Sequence, residues 1–96
     1  MLNDKRYEAI KFMLEGGHIN TFNEIFNYIP KSIIAVDLKL SNTRITRIIN
    51  NPETMTMRQI CYLSELIRVD RKRVFEVIIN QIETKEKSKK RKKENL

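Results

Sequence analysis

Gly16, Gly17, Pro30 and Pro52 are the only glycines and prolines in a chain of 96 residues. A fold built from many strands needs a tight turn every few residues, and these two residue types supply much of the chemistry of such turns. Their scarcity favours helices joined by short connections. The apolar spacing agrees. Tyr7, Ile10 and Leu14 recur at the three- and four-residue intervals of one helix face, which predicts a helix over residues 4–15. Gly16 and Gly17 end it, because glycine enters the left-handed closing conformation at little steric cost. Thr21 and Glu24 have capping-box spacing, ahead of Phe22, Ile25, Phe26 and Ile29 on one face. Pro30 stops that segment and opens the next, over residues 31–38, where Ile33, Ile34, Ala35 and Leu38 are apolar. Ser41 is a good N-cap for a helix that ends before Asn50, Asn51 and Pro52. Thr56 and Gln59 form a second box, opening a helix through Ile60, Leu63 and Ile67. Asp70 caps a last helix that carries Val74, Phe75, Val77, Ile78 and Ile82.

Hydrophobic residues make up 41% of the chain, enough for one modest core. The expected organisation is one helical domain over residues 1–83 and a basic tail over residues 84–96. After Glu83 no apolar residue occurs until Leu96, so the stretch KEKSKKRKKEN has nothing to bury and is expected to be disordered or a frayed helix. The net charge of +7 is uneven. From Glu83 to the end, seven basic and three acidic residues give +4; the rest, with twelve and nine, carries +3. Such a tail attracts polyanions without specificity.

A lone cysteine, Cys61, allows no internal disulfide and fits a reducing compartment. No apolar run approaches the ~20 residues of a membrane span. Asp4, Lys5, Arg6 and Glu8 stand where a signal peptide would be apolar, so a soluble cytoplasmic protein with no membrane partner is expected. His18 has no second His, Cys or carboxylate cluster beside it, and neither metal nor cofactor is expected. Met13, Met55 and Met57 read as packing residues and Cys61 as a core or half-buried thiol. No nucleophile–base pair, phosphate-cradling loop or carboxylate pair is evident, so no enzymatic activity is expected.

The stretch DLKLSNTRITRIINNP, residues 37–52, carries the most functional information. At ~100° per residue, Ile45, Ile48 and Ile49 share one face of a helix over residues 41–50. Thr43, Thr46, Arg47 and Asn50 share the opposite face, with Asn42 at one edge and Arg44 at the other. No acidic residue interrupts the polar face. Asn, Arg and Thr suit the edges of base pairs in a major groove, although an ordinary bundle helix can also present an uncharged or basic face.

Residues 31–50, KSIIAVDLKLSNTRITRIIN, resemble the helix-turn-helix of the lambda-repressor/Cro family. Ala35 stands where that family places a small residue at the helix crossing. Ile34, Leu38, Leu40, Ile45 and Ile48 occupy its apolar positions, and Ser41 its second-helix cap. The resemblance spans about residues 20–79. It implies an all-α, compact bundle of five to six short helices, lambda-repressor-like, with an extra N-terminal helix. It departs from the family at Lys39, where the left-handed turn usually holds glycine, at a cost of ~1 kcal/mol if the turn is kept. Lys31 replaces a common glutamine. Ile33 and Val36 replace polar residues, and the expectation is that they pack against the extra helix.

What the resemblance implies for function is sequence-specific binding of double-stranded DNA, as a transcriptional regulator. Asn42, Thr43 and Arg47 fall where relatives contact bases, with Thr46 and Asn50 on the same face. Arg44 and Lys31 fall at phosphate-contacting positions. A homodimer is expected, through the apolar helix from Arg71 to Glu83. Arg71, Lys72 and Arg73 read either as a phosphate or partner grip or as a solvated helix start. Two alternatives stand beside this: a helical protein–protein module, such as an antitoxin or adaptor, and nonspecific nucleic-acid binding driven by the tail.

Overall fold

The computed structural model describes residues 4–94, with side chains described as far as residue 88. Helical segments follow one another along the chain: α1 (Arg6–Glu15), a 3-10 turn (Phe22–Asn27), α2 (Lys31–Asp37), α3 (Asn42–Asn50), a second 3-10 turn (Pro52–Thr54), α4 (Met57–Ile67) and α5 (Arg71–Glu94). No strand occurs among the described residues, so the fold is all-α. No helix among them is long and apolar enough to cross a membrane.

The periodic apolar residues meet in a single core. Tyr7, Ile10 and Leu14 of α1 join Ile19, Phe22, Ile25 and Ile29, then Ile34 and Ala35 of α2, Ile45 and Ile48 of α3, Met55, Ile60, Leu63 and Ile67 of α4, and Val74, Val77 and Ile78 of α5. Each fully buried aliphatic side chain contributes on the order of 1.5–3 kcal/mol of transfer free energy. α1 packs on α4, α2 on α3, and α4 on α5. Met57, expected to pack, is instead exposed in the first turn of α4; Met55 is buried and Met13 is half-buried against the core.

The helix ends follow local chemistry. Gly17 takes φ +77°, and His18 N–H bonds back to Met13 O at 2.8 Å, closing α1 as expected. The Thr56–Gln59 capping box is complete in both directions, at 3.1 and 2.9 Å. Asp70 accepts from Lys72 N–H at 2.9 Å and caps α5. The Thr21–Glu24 box does not form. Thr21 Oγ1 donates to Asn23 Oδ1 and to Glu24 Oε1, and the segment it opens is a 3-10 helix. The Asn23 N–H, an orphan donor of the first turn, is held by Gln81 Oε1 at 2.8 Å. A six-residue segment between Thr21 and Pro30 gains little from α-helical nucleation, and tertiary contacts decide its form.

Ile33 is half-buried against the core, but Val36 does not pack on α1: it is 74% exposed. α1 lies on α4, and Tyr7 Oη ties it to α2 by donating to Asp37 Oδ2 at 2.5 Å. Arg73 resolves its two readings. Its guanidinium donates to Leu14 O at 2.8 Å and Ile19 O at 2.7 Å, stapling α5 to the carbonyls behind α1.

The chain after Glu83, expected to be disordered or a frayed helix, is helical. α5 continues through Glu94 without a break; residues 95 and 96 of the expected tail lie outside the described residues. Lys, Glu and Arg are good helix formers, and the stretch contains neither glycine nor proline. Nucleation is already provided by the packed half of α5, so each added residue needs only propagation. Glu83 and Glu86 stand four residues before Lys87 and Lys90, in the favourable order for helical ion pairs.

Candidate nucleic-acid interface

The candidate site is built by one turn. α2 ends with Lys39 at φ 57°, in the left-handed region. Leu40 N–H bonds to Ala35 O at 2.8 Å and Lys39 N–H to Val36 O at 3.1 Å, the paired closure of a Schellman motif. The turn keeps the tight left-handed form although its central residue is lysine. Ala35 of α2 is buried, and α2 packs on α3. Ser41 Oγ then accepts from Arg44 N–H at 3.1 Å and starts α3.

α3 is divided as its spacing predicts. Ile45 and Ile48 are fully buried and Ile49 is half-buried. Asn42, Thr43, Arg47 and Asn50 are exposed on the other side, with Thr46 half-buried among them. Lys31 Nζ donates to Thr46 Oγ1 at 3.0 Å, so the start of α2 is tied to the middle of this face. α3 itself contains no carboxylate. Among the described residues the Arg47 guanidinium has no hydrogen-bond or ion-pair partner, which leaves its full set of donors available.

Arg44 is placed differently. It is half-buried, and its guanidinium donates to Thr54 O at 2.9 Å, joining α3 to the second 3-10 turn. The structure therefore brings together Lys31, Asn42, Thr43, Thr46, Arg47 and Asn50, and turns Arg44 toward the body of the domain. Its position at the edge of the helical wheel is compatible with either direction; the free carbonyl of Thr54 decides.

Lys85 belongs to this neighbourhood and no sequence pattern singles it out. Its Nζ donates to Asn50 O at 2.6 Å and to Asn51 Oδ1 at 3.1 Å. A cation at the last carbonyls of α3 is favoured by the helix dipole. A cleft follows this contact, lined by Asn23, Ile49, Asn50, Gln81, Thr84 and Lys85. One carboxylate, that of Glu24, also faces it and is held by Thr21 Oγ1. Among the described residues, no group of three or more His, Cys, Asp or Glu side chains could hold a metal ion.

The arrangement offers amide, hydroxyl and guanidinium groups from one convex helix face, with two further ammonium groups at its margins. Such a set is suited to hydrogen bonding and charge rather than to apolar contact. In comparisons with known proteins, the chain matches no protein-family model, no curated protein sequence and no solved structure.

Proposed function

We propose that the protein binds double-stranded DNA in a sequence-specific manner through α2, the Lys39 turn and α3, as a lambda-repressor-like helix-turn-helix regulator of transcription in the cytoplasm. The observation that carries this reading is the turn. Lys39 at φ 57° joins α2, with Ala35 buried, to α3, with Ile45 and Ile48 buried and an acid-free polar face outward. α3 enters the major groove, Asn42, Thr43, Arg47 and Asn50 meet base edges, and Lys31 lies toward phosphate. Thr46 serves the same face from beside Lys31. Arg44 acts through the fold, by holding Thr54.

A single module of this size buries too little surface for a long specific site, and pairing on a two-fold operator follows. Ile79, 49% exposed on α5, is the proposed centre of the homodimer contact.

Selection of bound duplexes from a random pool tests the reading. A recovered motif is the expected result, with Arg47→Ala weakening binding by about 1–3 kcal/mol and relaxing preference at one position. A pool with no enrichment, or an Arg47→Ala protein with unchanged affinity and preference, overturns it.

The exposed apolar side chains Val36, Met57 and Tyr62 favour a second reading, a helical protein–protein module. Stoichiometric capture of a protein partner together with no salt-sensitive binding of duplex DNA selects that alternative.

A further inference from the structure

We infer that α5 from Lys85 onward is a rigid basic arm that grips the phosphate backbone of the same duplex, on the flank beside the C-terminal end of α3. This rests on the DNA-binding reading above.

Three observations carry it. The first is continuity. α5 runs unbroken from the packed Val74, Val77 and Ile78 through Glu94, so the charged segment leaves the domain in a fixed direction. The second is the anchor. Lys85 Nζ on Asn50 O and Asn51 Oδ1 ties the root of the arm to the last turn of α3, and buried Gln81 one turn earlier donates to Ile49 O at 2.8 Å. The arm is therefore set relative to the helix proposed to read the groove. The third is charge density. Beyond the Lys85 anchor, six basic residues fall between Lys87 and Lys93, with no acidic one among them. At ~1.5 Å per residue that stretch is about 9 Å long, and a duplex carries about five phosphate charges over the same length of axis.

The same residues speak against an anionic membrane as the occupant. A helix that lies on a bilayer buries an apolar face. Residues 83–95 contain no apolar side chain.

A helical arm differs from a disordered one in what it must give up on binding. Ordering a backbone costs about 1–2 kcal/mol per residue, and here the helix is formed beforehand. Its charges also reach one flank of the site and not the other. The protein's footprint on its preferred duplex is accordingly extended on one side of each α3 contact.

The test uses the full-length chain in three forms: the parent, a variant with Lys89, Lys90, Arg91, Lys92 and Lys93 all changed to Gln, and Ser88→Pro. Gln keeps helix propensity while removing charge; proline keeps every charge while breaking the helix line. Binding to the selected duplex is measured across a salt series, and hydroxyl-radical footprints are compared. The Gln variant is expected to keep the preferred sequence, lose about three or more units of slope in log K against log salt, and shorten the footprint on one flank. Ser88→Pro is expected to lose part of the slope and the flank protection, with the domain's unfolding midpoint unchanged. A Gln variant with the parent's slope and footprint overturns the arm. A Ser88→Pro protein indistinguishable from the parent overturns its rigidity. Vesicles of phosphatidylserine and phosphatidylcholine are included as a competing surface. If the Gln changes abolish vesicle binding and leave the duplex slope untouched, the arm serves membranes and the inference fails. A parent chain with no preferred duplex sinks the DNA reading itself, whereas a preferred duplex with an unaltered slope sinks the arm alone.

Discussion

Lys39 sits in a backbone conformation that costs a side-chain-bearing residue on the order of 1 kcal/mol, and the fold holds it there with two closing bonds and the burial of Ala35 beside it. Lys39→Gly is therefore expected to raise the unfolding free energy measured in urea by up to about 1 kcal/mol, less the entropy that glycine adds to the unfolded chain. Lys39→Val should lower it, since a branched Cβ is worse still in that region. The position of this turn was legible in the sequence from Ala35, Leu40 and Ser41. Its geometry was not, because lysine argues against the left-handed form and only tertiary contact shows which preference prevails. Tyr7 gives a second prediction at this scale. Burial, and then the hydrogen bond and charge of Asp37, push its phenol above the ordinary 10.0. A phenol that ionises less readily when folded contributes stability that is complete below pH 10 and is lost as pH rises beyond it. Tyr7→Phe is expected to cost about 1–2 kcal/mol near neutrality and to fall less steeply than the parent above pH 10. Paired denaturation curves of the two proteins, read as a difference, cancel the other tyrosines and lysines that titrate in that window.

Between elements, several polar ties join segments far apart in the chain. Gln81 is 7% exposed and connects α5 to two others, accepting from Asn23 N–H and donating to Ile49 O, both at 2.8 Å. Gln81→Leu preserves bulk but leaves the part-buried Asn23 N–H and Ile49 carbonyl without this partner, and is expected to cost about 1–2 kcal/mol by chemical denaturation. A loss below about 0.5 kcal/mol would show that water replaces the amide at both groups. Helical periodicity located the apolar faces, which is why Tyr7, Ile10, Leu14, Ile45, Ile48, Leu63 and Val74 are core residues as expected. It cannot place a residue such as Gln81, whose polarity marks it for solvent while the geometry of three converging segments buries it. The Thr21–Glu24 segment shows the same limit from the other side. Its box spacing is real, but a short segment with no room to propagate takes the 3-10 form that its contacts with α5 allow. Arg44 likewise turned on a partner, Thr54 O, that no spacing rule ties to it.

At the scale of the molecule, α5 joins two regimes: a packed half that completes the core, and a charged half with nothing to bury. Composition alone left the second half open between disorder and a frayed helix, since it weighs burial and not propagation from an existing helix. The packed half also leaves Ile79 49% exposed although Val77 and Ile78 beside it are buried, which is the basis for the proposed homodimer contact. Ile79→Lys places a charge at the middle of that contact and removes nothing from the core. Away from buried features such a change alters folding stability by less than about 0.5 kcal/mol, so any larger effect on binding reports association. On a duplex with two half-sites separated by one helical turn, about 34–36 Å, the parent is expected to bind with steeper concentration dependence than on a single half-site. Ile79→Lys should abolish that difference while keeping the parent's affinity for the single half-site. If the variant retains the steep isotherm, the dimer contact lies elsewhere on the surface. If the parent itself binds both duplexes alike, the protein acts on DNA as a monomer, and the arm beyond Lys85 becomes the main source of affinity outside α3.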